Sequence, residues 1–81
     1  MTKNECFRLS TSTFGVRLED GKPANIVQIR RDSVVKIVSG VETQHGMIEV
    51  DWNGLRVMVL VRHVHERGVL VDCSRARASK A

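Results

Sequence analysis

Ile48-Glu49-Val50-Asp51-Trp52-Asn53-Gly54-Leu55-Arg56-Val57-Met58-Val59 is the stretch whose reading decides the fold. Two alternating runs flank an Asn-Gly pair. Both central residues of a type I′ turn need φ > 0, and Asn-Gly supplies them with little strain. A two-residue turn fixes register, so Trp52 faces Leu55, Val50 faces Val57 and Ile48 faces Val59. All six are apolar and share one face. The other face sets Asp51 against Arg56, a favourable cross-strand charge pair, and Glu49 against Met58. A two-stranded hairpin is marginal alone, so the Trp52 face must pack on further strands. Val35, Ile37, Val16 and Ile29 are the candidates.

Working outward towards the amino terminus, Val34-Val35-Lys36-Ile37-Val38 is β-branched at four of five positions, which suits a pleated, half-buried strand. If Val35 and Ile37 face inward, Val34 and Val38 face outward. Residues 39–46, bounded by Gly40 and Gly46, read as a long loop. Phe14, Val16 and Leu18 alternate with Gly15 and Arg17, which predicts a strand burying Phe14, Val16 and Leu18. Glu19-Asp20-Gly21-Lys22-Pro23 has turn chemistry, and Ile26–Ile29 resumes extended structure, so residues 14–18 and 25–29 form a second hairpin. Residues 1–13 read as an arm that contributes a short strand at most. Towards the carboxy terminus, residues 62–68 read as one helical turn ending at Gly68 in a left-handed conformation. Val69-Leu70-Val71 is a short closing strand. Residues 73–81 read as a basic, disordered tail.

The domain is therefore all-β, with residues 14–72 as its body. A strand, a long loop, an Asn-Gly hairpin, one helical turn and a short last strand, carried by residues 32–71, resemble the SH3-like small barrel. The resemblance implies a partly open barrel of about five strands, with an N-terminal strand or hairpin extension and one 3₁₀ or helical turn. It names no substrate, since that scaffold hosts unrelated functions. A second resemblance concerns Val27-Gln28-Ile29. It is similar to three positions of the Val-Gln-Ile-Tyr pore strand of type II dihydrofolate reductase, a short barrel that works as a tetramer. Arg30 stands where that family has tyrosine, and the tripeptide precedes the Val34–Val38 strand instead of lying near the barrel's end. An oligomeric enzyme of that kind is thus the remote alternative.

With 81 residues, the chain buries only about 60% of its unfolded surface, so a staple or self-association would help it. Cys6 and Cys73 could supply a bridge, but with nothing marking the chain as secreted the expected state is two thiols in a cytoplasmic protein. The first residues carry no apolar leader, and no stretch approaches the ~20 apolar residues of a bilayer span, so no membrane partner is expected. Net charge is +4. Removing Arg75, Arg77 and Lys80 leaves 4 − 3 = +1, so the basic character lies largely in the tail.

No catalytic set is legible. His63 and His65, with His45 on the long loop, lack a third ligand at metal spacing and read as solvated histidines. Neither cysteine nor Ser33 sits in a nucleophile motif, and no glycine belongs to a phosphate loop. The expectation is a non-enzymatic module with no cofactor and no metal. Met47, Met58 and Leu60 share the outer face of the Asn-Gly hairpin and form the candidate interface, with a second copy as first partner. The alternative is weak nucleic-acid binding through Arg30, Arg31, Arg56, Arg75, Arg77 and Lys80. Against it, the chain has only three aromatic residues to stack on bases, Phe7, Phe14 and Trp52.

Overall fold

The computed structural model describes residues 1–73 and is mostly antiparallel sheet. Seven strands and one short helix follow in the order β1 (Cys6–Leu9), β2 (Thr13–Glu19), β3 (Lys22–Ile29), β4 (Val34–Ile37), β5 (Met47–Trp52), β6 (Leu55–Leu60), α1 (Val61–Arg67) and β7 (Gly68–Val71). Their order in the sheet is β3-β2-β6-β5-β4-β1-β7.

The β5–β6 hairpin has the register that its Asn-Gly turn dictates, from Met47 opposite Leu60 to Trp52 opposite Leu55. Asn53 and Gly54 take φ of 54° and 84°. Ile48, Val50, Val57 and Val59 are fully buried, as expected of the inward face. Towards the turn this face runs out of cover: Trp52 is half-buried and Leu55 is 41% exposed. The charge pairing also differs from expectation. Asp51 stands opposite Arg56, but its Oδ1 accepts from the Gly54 N–H at 2.8 Å. With that carboxylate committed to the turn, Arg56 reaches diagonally to Glu49 Oε2 at 3.0 Å.

Residues 1–13, read from sequence as an arm, supply an interior strand. β1 lies between β4 and β7, and Cys6 and Leu9 are buried. Asn4 N–H donates to the Ile37 carbonyl and Ile37 N–H to the Glu5 carbonyl, so the segment before β1 is also tied to β4. The alternation around Cys6 to Leu9 is too short to announce this pairing, which is made by residues some thirty positions away in β4 and some sixty in β7.

The faces of β2 are the reverse of the expected ones. Thr13 and Gly15 face the core, while Phe14 is 62% exposed. Gly15 explains the inversion. A Cβ there would lie 2.4 Å from Val57 Cγ1, 2.9 Å from the Met58 carbonyl oxygen and 3.0 Å from Val59 Cγ1. β2 crosses β6 so closely that only a residue without a side chain fits on the inner face, and the large apolar residues of β2 are left outside.

The expected barrel does not close. β3 and β7 are the two ends of the sheet, and closure would require them to be hydrogen-bonded to each other. β7 is four residues long, and β3 projects with β2 as a hairpin whose residues 22–26 are exposed. Only the Ile29 end of β3 reaches the core. The curled sheet instead buries Leu9, Ile29, Val35, Ile37, Ile48, Val50, Val57 and Val59 against one another, with Val64 of α1 completing the core. Each such side chain contributes about 1.5–3 kcal/mol relative to leaving it exposed.

Two further expectations change. Gly68 caps α1 in an extended conformation (φ −99°, ψ 143°), not a left-handed one. Its place is set by space, since a Cβ would lie 2.5 Å from the Val64 carbonyl oxygen and 3.3 Å from Phe7 Cβ. The two cysteines are not thiols. Cys6 and Cys73 form a disulfide with their Cα atoms 5.4 Å apart, closing a loop across 67 positions. In the chain-entropy view a loop of that length contributes about 4 kcal/mol by restricting the unfolded chain. A chain this small gains from such a staple. No described helix is long and apolar enough to cross a membrane.

Candidate interaction surface

The antiparallel registers place the outer-face side chains in rows. Val16 of β2 stands between Ile26 of β3 and Met58 of β6, and Met58 stands opposite Glu49 of β5. One pair further along, Phe14 stands opposite Gln28, and Met47 opposite Leu60. Continuing the β2–β6 register sets Phe14 beside Leu60. Six apolar side chains, Phe14, Val16, Ile26, Met47, Met58 and Leu60, thus occupy one face of four adjacent strands.

The sequence-predicted trio Met47, Met58 and Leu60 is together on this face, each half-buried. Sequence reasoning missed the other half, Phe14 and Ile26, which are 62% and 72% exposed. The signal that could have found them is Gly15. A glycine within an alternating strand marks close backbone approach and hence the buried side. β2 and β3 extend the sheet sideways and leave this face uncovered.

Beyond Leu60 the face runs into an open groove of about 640 Å³ between the 38–46 loop and α1, with Glu42, His45, His65 and Glu66 on its rim. His65 and His63 do not share a face, because a helix, unlike a strand, turns positions i and i+2 to opposite sides. His63 points to β2, where its Nδ1 lies 3.0 Å from Thr13 Oγ1. Arg67 Nη1 lies 3.4 Å from the same hydroxyl oxygen and 3.3 Å from the Ser12 carbonyl oxygen. A guanidinium only donates, so the Thr13 hydroxyl oxygen accepts from Arg67 and shares a further hydrogen bond with His63 Nδ1. Thr13 itself is 1% exposed. The trio holds α1 against β2. Among the described residues, no three His, Cys, Asp or Glu side chains are grouped to hold a metal ion.

The structure does not gather the candidate nucleic-acid arginines. Arg30 and Arg31 lie exposed in the turn before β4, where Arg31 stands 3.8 Å from Asp32. Arg56 lies two strands across from β4, in the row Arg56, Asp51, Lys36, and is paired to Glu49. Arg75, Arg77 and Lys80 lie outside the described residues. Of Val27-Gln28-Ile29, Ile29 is fully buried and Val27 packs on the core, which leaves Gln28 as the exposed side chain.

No protein-family model, curated protein or solved structure matches the chain.

Proposed function

We propose that this chain is a small, non-enzymatic interaction module that self-associates through the outer face of β3, β2, β6 and β5. The observation that carries the reading is the exposure of Phe14 and Ile26 on the same face as Val16, Met47, Met58 and Leu60. Isolated exposed apolar residues are ordinary on any surface, whereas a contiguous patch of this kind marks interaction sites. Phe and Met are also enriched at interface centres, where a flexible thioether fills irregular gaps. A two-fold pairing of this face with its own copy needs no second gene product and is the commonest closed arrangement. The order of elements, with a hairpin after the first strand and a helical turn before the last, supports kinship with SH3-like small barrels as the scaffold of the module.

The test is the solution mass of the oxidised protein, by light scattering or sedimentation, for wild type, Ile26→Lys and Met58→Lys. Ile26 is exposed, so Ile26→Lys keeps the circular dichroism spectrum and melting temperature near wild type. Wild type runs as a dimer and both variants as monomers. A monomeric wild type at high concentration, or dimers that survive both lysines, would rule the face out.

A further inference from the structure

We propose that the closing strand β7 is a redox-released strap. The Cys6–Cys73 disulfide holds it on β1, and reduction frees residues 68–73 while the rest of the sheet stays folded.

The inference rests on how unevenly the carboxy-terminal segment is anchored. Up to Arg67 the chain is held without help from β7. Val64 of α1 is 1% exposed in the core. The Arg67 carbonyl accepts from both the backbone N–H of Ser10 at 2.6 Å and its hydroxyl at 2.8 Å. The Arg67 guanidinium reaches the Ser12 carbonyl at 3.3 Å. Beyond Arg67 the anchoring is of another kind. β7 is an end strand, paired on one side only, to β1. Val69 and Leu70 are 50% and 59% exposed, and none of its four residues is fully buried. Its backbone bonds to β1 return little more than the entropy lost in ordering it, and almost no apolar burial is added. The disulfide, two residues past the end of β7, is its covalent tie. Segments with few buried contacts and a free edge are the ones that open locally. The junction between Arg67 and Gly68 is therefore the hinge.

The two sulfurs differ in access. Cys6 is 4% exposed on β1, whereas Cys73 is half-buried. A dithiol reductant attacks through its thiolate at Cys73 Sγ. The S–S bond breaks, Cys6 leaves as thiolate and takes a proton from water, and the mixed disulfide at Cys73 is displaced by the reductant's second thiol. The protein gains two electrons and two protons, and the reductant becomes a disulfide. With the tether gone, β7 lifts away and bares both the Cys6 thiol and the hydrogen-bonding edge of β1, an opening that a strand from another chain can fill.

The experiment is hydrogen exchange read by mass spectrometry on the full chain, oxidised and then reduced with dithiothreitol, with Cys73→Ser as a permanently untethered form. Expected is a rise in exchange across residues 68–71 on reduction that exceeds, by at least about tenfold, the rise that loss of the bond's restriction on the unfolded chain brings to β5 and β6. In Cys73→Ser, Cys6 is the only thiol, and iodoacetamide labels it at the rate of β7 opening while the protein keeps its native circular dichroism. Unchanged protection of β7 with Cys6 unreactive overturns the proposal. A rise in β5 and β6 as large as that in β7 overturns it too, because the bond would then act on the fold as a whole with no separate effect on the strap.

Discussion

Replacing Gly15 by alanine tests whether the inward face of β2 is set by space. The backbone conformation there is ordinary for a strand, so any cost comes from contact. An alanine Cβ would stand 2.4 Å from Val57 Cγ1, roughly 1.1 Å short of the ~3.5 Å at which carbons rest. Val57 is wholly buried and cannot swing into solvent. The Met58 carbonyl oxygen, 2.9 Å away, belongs to the ladder itself. Either β2 moves off β6 or the core repacks. Overpacking of this kind costs about 1–3 kcal/mol. Alanine returns about 0.5–1 kcal/mol by stiffening the unfolded chain. A 2.4 Å contact against a buried side chain puts the cost in the upper part of that range, about 2–3 kcal/mol, so the expected net loss is about 1–2.5 kcal/mol, or roughly 4–20 °C in Tm for a domain of this size. Urea unfolding followed by Trp52 fluorescence and circular dichroism measures it. Val57→Ala removes the nearest methyl, so in that background Gly15→Ala should cost about 0.5–1.5 kcal/mol less. Gly54→Ala is the control. Nothing lies within 4 Å of its Cβ, so its cost of about 1–2 kcal/mol comes from φ of +84° and is indifferent to Val57. Gly15→Ala as stable as wild type, or a cost unmoved by Val57→Ala, would refute the spatial argument and with it the reason that Phe14 faces outward.

Two further substitutions probe the buried polar groups. Thr13→Val keeps the shape but removes the hydroxyl between His63 and Arg67. It should cost about 1–3 kcal/mol in urea unfolding, with Thr13→Ser recovering most of it, because His63 Nδ1 loses this partner while Arg67 keeps only the Ser12 carbonyl. Trp52 Nε1 is buried and finds no acceptor among the described residues. Trp52→Phe gives up that unsatisfied N–H along with part of the ring, so a loss of under about 1.5 kcal/mol in thermal unfolding by circular dichroism is expected, well below the ~3–5 kcal/mol of a truncation to alanine.

Much of the candidate surface was legible only in part. Met47, Met58 and Leu60 could be placed on one face because the Asn-Gly turn fixes the alternation of β5 and β6 from within twelve consecutive residues. Phe14 and Ile26 could not, because the alternation of β2 says which residues share a face but not which face is inward. That choice is made by β6, some forty positions later, whose valines leave room only for Gly15. His63 is a related case. The sequence reads both histidines as solvated on a helical turn, and His65 is exposed there, but His63 reaches Thr13 fifty positions away, a contact that no local pattern announces.

What local chemistry determined, then, is the all-β class, the β5–β6 register, the two tight turns and the helical turn before the last strand. These depend on φ preferences, β-branching and period-two patterning within about a dozen residues, and such preferences act whatever the rest of the chain does. Only the tertiary structure decided that the sheet stays open, that β1 is an interior strand, that β2 turns its phenylalanine outward and that Cys6 meets Cys73. Each of these depends on which distant strands lie side by side and how closely they approach. Packing at close range is a property of the pair, and neither partner's sequence contains it alone.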